Sequence, residues 1–240
     1  MMVGTATIRQ RKLNVCRLGR VDYGEALALQ KETERRVLAG EQPDTLLLLE
    51  HPHTFTVGRR STGAAGVLAT PKMLEDLGVH VFETNRGGKV TYHGLGQLVG
   101  YPIVNLKPDR EDVHRYVRDL EEVLIRSLAD LGVDGFRIEG LTGVHTAQGK
   151  VAAIGVHIAR WITTHGFALN VNTDLSYFNM IVACEGEPVT SIERLLGREV
   201  PLSDVEGIVA LRFAEVFDAE LVPAFGVPVL AGGFNGEEAR

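Results

Sequence analysis

A chain of 240 residues with 45% hydrophobic and 23% charged side chains can bury a full-sized core, so it needs neither disulfides nor a structural metal to fold. Twenty-five Lys and Arg against 31 Asp and Glu give a net charge of −6, which argues against general nucleic-acid binding while leaving room for a local basic patch. Two cysteines, Cys16 and Cys184, cannot make a disulfide framework, and their scarcity fits a reducing compartment.

The opening MMVGTATIRQRK carries charge where a secretion signal needs an apolar run. The most apolar short stretch, residues 46–49, is far below the ~20 residues that span a bilayer. A cytoplasmic protein without a membrane partner is expected. In chain order, residues 13–18 predict a strand. Residues 22–38 predict a helix, with Ala26, Leu27, Leu29 and Val37 at helical spacing, Asp22 as N-cap and Gly40 as stop. Short strands are predicted at 45–50 and 54–57, then a helix at 71–77, then strands at 79–84, 89–92 and 97–104 between glycine turns. The longest predicted helix covers 112–131. Strand-like runs follow at 135–138, 143–146, 150–159 and 161–171, the middle pair of which Gln148-Gly149 joins as a hairpin. A final amphipathic helix covers 203–217. Hairpins mixed with separated helices predict an α+β fold, a mixed sheet flanked by helices, rather than a doubly wound parallel sheet. No linker interrupts the body, so one domain is expected over residues 1–221, followed by a Gly/Pro-rich flexible tail over 222–240.

Several familiar signatures miss. In the run from Gly143 to Lys150, five residues separate the glycines where a phosphate loop has four, and Val151 replaces the hydroxyl residue. Gly94, Gly96 and Gly100 nearly spell a dinucleotide fingerprint but run into a strand. No G-x-S-x-G elbow is present. His51 and His53 flank Pro52, and without a completing ligand motif they read as a surface turn rather than a zinc site. His80, His114, His145 and His157 lack spacing partners and read as exposed or hydrogen-bonded.

Three stretches carry more. RGGKVTYHGLGQLVGYP, from Arg86, sets the bare backbone of Gly87 and Gly88 between the cations Arg86 and Lys89. That pattern suits a binding wall as well as a pair of hairpin turns. In GKVAAIGVHIARWITTHGFALNVN, from Gly149, Lys150 sits beside small and apolar residues. It either snorkels to solvent or is desolvated and suited to acid–base work. Gly166-Phe167-Ala168, preceded by His165, fits the floor of a narrow apolar slot. Cys184 ends an apolar run and opens a Gly/Pro loop, where a nucleophile would need a cation or base nearby. Glu185 and Glu187 would oppose that role if they faced the sulfur. Cys16, inside a predicted strand, reads as structural.

Together RGGKVTYHGLGQLVGYPI, GKVAAIG, HGFALNVNTDL and C-x-x-x-x-V-T-S resemble the lipoyl(octanoyl) transferase family from about residue 13 to residue 217. The resemblance implies a biotin ligase/lipoate ligase-like catalytic domain around a tunnel for a medium-length acyl chain. It implies Cys184 as acyl-thioester nucleophile and Lys150 as the dyad partner that lowers the pKa of the thiol. It implies substrate contacts from Arg86, Gly87, Gly88, Lys89, Val90, Thr91, Tyr92 and His93, from Ala153, Ile154 and Gly155, and from Gly166, Phe167 and Ala168, with His165 in support. The expected donor is octanoyl-acyl carrier protein. The expected acceptors are the lipoyl domains of 2-oxoacid dehydrogenase E2 subunits and the glycine cleavage H protein. Neither ATP nor a metal is expected, nor a nucleic-acid partner, and the protein is expected to be a monomer. Arg59, Arg60, Arg86 and Lys89 are the expected docking patch for an acidic carrier. The chain departs from the family pattern at Ala183-Cys184-Glu185, where Pro-Cys-Gly is usual, near His145, where Trp is frequent, and at Leu95, where Pro is frequent. An ATP-dependent lipoate-protein ligase and a non-catalytic acyl-binding protein are the alternatives.

Overall fold

A computed structural model describes residues 10–61, 66–182 and 187–223. Among these, eight strands form one mixed sheet. In chain order they are β1 (Arg11–Arg20), β2 (Asp44–Glu50), β6 (Gln97–Ile103), β7 (Phe136–Ile138), β8 (Leu141–Thr146), β9 (Gly149–Ala159), β10 (Ile162–Asn170) and β11 (Ala219–Leu221). Their order across the sheet is β11-β1-β2-β6-β10-β9-β8-β7. The β11–β1 and β1–β2 pairs are parallel, and the remaining pairs are antiparallel. A smaller sheet pairs β4 (His80–Glu83), β3 (Thr54–Val57) and β5 (Val90–His93), in that order.

The helices cover both faces of the large sheet. Helix α1 (Tyr23–Ala39) starts where the Asp22 carboxylate accepts from the Gly24 N–H, and it stops at Gly40 in the left-handed conformation. Its buried Ala26, Leu29 and Val37 lie at helical spacing and pack against Leu47, Leu49, Val99 and Ile103 of the sheet. Helix α3 (Val113–Asp130), capped by Asp112, and helix α5 (Leu202–Val216) pack on the opposite face over Leu46, Leu48, Leu98, Val144 and Leu169. Two short helices, α2 (Pro71–Asp76) and α4 (Ile192–Leu196), and a 3-10 helix over Leu175–Met180 fill connections.

The mixed sheet flanked by helices matches the expected class. The sequence does not predict the 3-10 helix, α4 or β11. Strand β11 owes its extended form to pairing with β1, where Arg11 lies opposite Ala219. The expected tail over 222–240 falls largely outside the described residues. His51, read as part of a surface turn, is instead fully buried. Its Nδ1 donates to the Val21 carbonyl at 2.7 Å and its Nε2 accepts from the Tyr101 hydroxyl at 2.7 Å. Cys16 is buried in β1, as expected, and accepts from the Asn14 amide at 3.3 Å.

Candidate active site

The site is built on the β9–β10 hairpin. Ala153 lies opposite Ala168, and Gly155 opposite Gly166, so on one face of the hairpin, on either side of the Ile154–Phe167 pair, two cross-strand pairs carry nothing larger than a methyl group. The Arg86–Lys89 loop lies over this cleared strip. Gly87 donates its N–H to the Val156 carbonyl at 3.0 Å, and a Cβ on Gly155 would stand 2.8 Å from the Gly87 carbonyl oxygen. Only glycine at 155 lets the loop rest on the strand. Between them is a cavity of about 150 Å³, about tenfold more than one water molecule requires.

Lys150 and His165 both line this cavity. His165 pairs with Val156, six residues along β9 from Lys150, so they stand about 20 Å apart at ~3.3 Å per residue. The cavity wall at the His165 end holds Tyr23, His93 and Tyr101 as well. Bonded partners fix the protonation of these rings. The Val21 carbonyl can only accept, so His51 carries its proton on Nδ1 and its Nε2 takes the Tyr101 hydroxyl proton. His93 donates from Nδ1 to the Gln97 amide oxygen at 2.9 Å, which leaves Nε2 to accept from Thr56 Oγ1 at 3.4 Å. His165 donates from Nε2 to Asn85 Oδ1 at 2.7 Å, and its backbone, at φ 56°, donates its N–H to Gln30 Oε1 at 2.8 Å. Burial pushes His51 and His165 down to about 4 and His93 well below its ordinary value, and the Arg86 charge acts in the same direction on His93 and His165. Burial raises the Tyr23 hydroxyl to about 12. The imidazoles at this end are therefore neutral at pH 7.

Lys150 is buried at the other end. Its N–H donates to the Pro188 carbonyl at 2.8 Å and its carbonyl accepts from the Thr190 N–H at 3.0 Å, which fastens the segment after residue 186 alongside β9. Its stem runs over Gly143, where φ is +123° and a Cβ would lie 2.6 Å from Lys150 Cε. Gly143 donates its N–H to buried Glu121 of α3 at 3.0 Å. Lys150 Nζ stands 3.7 Å from Glu187 Oε2, and the same oxygen accepts from His145 Nε2 at 3.2 Å.

Of the residues expected from sequence, Arg86, Gly88, Lys89, Val90, Thr91 and His93 line the cavity. So do the 153–155 and 166–168 segments, Lys150 and His165. Gly87 contributes its backbone contact to Val156 instead. Tyr92 does not line the cavity. It is buried in the core of the smaller sheet with Phe55 and Ile181, and its ring stacks on Tyr177 at 4.9 Å. Arg86 is not available for a docking patch. Its guanidinium is buried and donates to the Thr56 carbonyl at 2.6 Å, to the Thr56 hydroxyl at 2.8 Å and to the Gly87 carbonyl at 3.0 Å. Arg59 and Arg60 are exposed. Cys184 lies outside the described residues. Sequence reasoning missed Tyr23, Tyr101, Leu141 and Thr142 as walls and gave Glu187 no partner. Only the Asp22 cap, which fixes where α1 begins, hinted at the placement of Tyr23.

Residues 22–214 match the lipoyl protein ligase A/B catalytic domain family. The octanoyltransferase of Rubrobacter xylanophilus is 52% identical over 212 residues, covering 87% of this chain and 95% of that relative. Among solved structures, the bi-partite lipoate protein ligase of Thermoplasma acidophilum aligns with a TM-score of 0.70 at 16% identity, over 89% of this chain and 88% of the other. The Aquifex aeolicus biotin protein ligase aligns at 0.53 with 14% identity, over 85% and 70%. These two likenesses show a common fold, that of biotin and lipoate ligase catalytic domains.

Proposed function

The chain belongs to the octanoyltransferase family and is an acyltransferase, and from that premise we propose that it moves an octanoyl group from acyl carrier protein to a lysine of lipoyl domains through a thioester on Cys184. The observation that carries this reading is Lys150, buried at one end of a narrow cavity floored by small residues and fastened to the segment that follows Cys184 in sequence.

Lys150 acts as base and acid in turn. Its amine takes the Cys184 proton while the sulfur bonds to the acyl carbonyl carbon. The carbon–sulfur bond to phosphopantetheine then breaks, and the departing thiolate takes the proton from Lys150. In the second half the acceptor lysine amine bonds to the same carbon and gives a proton to Lys150. The bond to Cys184 breaks, and Lys150 returns that proton to the sulfur. Exchange of one thioester for another is nearly isoenergetic and conversion to an amide is downhill, so neither ATP nor a metal is required. The cavity rewards each buried methylene by ~0.8 kcal/mol until the far wall is reached, which favours medium chains. Exposed Arg59 and Arg60 suit an acidic carrier. The acceptors are E2 lipoyl domains and the glycine cleavage H protein, met in the cytoplasm by a monomer whose body spans residues 1–221.

Incubation with octanoyl-acyl carrier protein should add one octanoyl group by intact mass. The adduct should be cleaved by hydroxylamine and be absent from Cys184→Ala. An unmodified wild-type protein that still binds octanoyl-acyl carrier protein would leave a binder in place of an enzyme intermediate.

A further inference from the structure

The two side chains that meet at Lys150 have no part in the mechanism above. We propose that Glu187 is a positioning residue that fixes the Lys150 amine for acyl transfer, and that His145 in turn holds Glu187. The inference rests on the reading of Lys150 as the acid–base group.

All three residues are withdrawn from solvent, with side chains of Lys150, Glu187 and His145 exposed by 10%, 18% and 3%. A carboxylate only accepts, so the 3.2 Å contact requires a proton on His145 Nε2. In the neutral ring Nδ1 is then a bare acceptor, and it is buried without a hydrogen-bond partner among the described residues. The His145 ring therefore has one hydrogen-bond partner there, and that partner is Glu187. The geometry at Lys150 is different in kind. At 3.7 Å the carboxylate attracts the ammonium but does not occupy one of its N–H donors, since a hydrogen bond at that length is negligible. Anchored by His145, Glu187 is kept from closing on Nζ, and among the described residues no hydrogen bond engages the amine, which leaves it to serve the sulfur and the leaving group. The backbones are coupled as well. Lys150 donates its N–H to the carbonyl of Pro188, the neighbour of Glu187, and His145 is the cross-strand partner of Lys150. Two side chains thus rise from the paired strands β8 and β9, and the third from the segment hydrogen-bonded to β9, into one buried contact, which is the support a catalytic group needs to hold its orientation.

Glu187→Gln tests this, because the amide oxygen still accepts from His145 while the charge beside Nζ is lost. The kcat for octanoyl transfer is expected to fall about tenfold to 10²-fold, the scale on which misplacing a reacting group acts. KM for octanoyl-acyl carrier protein and Tm should stay at their wild-type values. Glu187→Asp, which keeps the charge, should recover part of the rate, and His145→Gln should lose less than Glu187→Gln. A wild-type kcat in Glu187→Gln overturns the inference, as does a loss confined to KM or matched by a fall in Tm. Lys150→Ala separates the two readings. Full activity there overturns the acid–base role and this inference with it, whereas an inactive Lys150→Ala beside an unaffected Glu187→Gln overturns the inference alone.

Discussion

In the proposed reaction, an acyl chain running from Lys150 along the cavity meets Tyr23 as its wall. Its ring is 2% exposed, lines the cavity, and is wedged between His51 at 5.1 Å and Phe82 at 5.0 Å. Removing it in Tyr23→Ala should lengthen the channel, and each further methylene that finds cover adds ~0.8 kcal/mol, about fourfold in preference. In competition among eight-, ten- and twelve-carbon acyl-carrier substrates, read by intact mass, the preferred adduct should move to the longer chains. Tyr23→Trp should move it to shorter ones. Unchanged adduct ratios in both would place the end of the channel elsewhere. Little at this scale is visible before folding. The composition around Arg86 and Lys150 announces a site, whereas the wall comes from tyrosines on α1 and β6 that only the tertiary fold brings together. The left-handed backbone of His165 is equally hidden, because the partner of its N–H, Gln30, lies 135 residues away.

Among the elements, α3 supports the site through one carboxylate. Glu121 accepts from Gly143 N–H, Arg118 and Arg137, and so joins the helix to the strand over which the Lys150 stem runs. Glu121→Ala leaves the buried Gly143 N–H unsatisfied, and the two partly exposed arginines can turn to water. The expected cost is therefore about 1–3 kcal/mol, measured as a lower urea midpoint at constant m-value, with a fall in kcat because Gly143 loses its anchor. A midpoint equal to wild type would show that water replaces the carboxylate. Helices α1 and α3 are legible in the sequence because an aspartate cap and a helical apolar stripe agree at their start. Helix α4, with five residues, and β11, with three, are too short for any period to register, and tertiary contacts place them. The β9–β10 hairpin is legible only as two strands. Its turn places Arg160 and Trp161 at positive φ, where asparagine and glycine are the usual signal.

For the whole molecule, burial of neutral histidines makes the fold lose stability as pH falls. His51 titrates near 4 when folded and near 6.5 when unfolded, so the unfolded chain takes up the proton first as pH falls. The stability is fully present above pH 6.5 and is lost progressively between 6.5 and 4, by about 3 kcal/mol for His51. His165 and His93 act in the same direction. Tm should decline from pH 6.5 to pH 5, before most carboxylates titrate, and His51→Gln should flatten that slope while lowering Tm at pH 7. An equal slope in the variant would assign the acid sensitivity to other groups. The sheet order carries one more consequence, for synthesis. As the chain leaves the ribosome, every element around the cavity has been made once α4 is complete at Leu196, yet the outer edge of β1 finds its parallel partner only at Ala219–Leu221. A nascent chain thus holds its chemistry before it holds its closure, and for that interval the first strand presents unpaired backbone to the crowded cell.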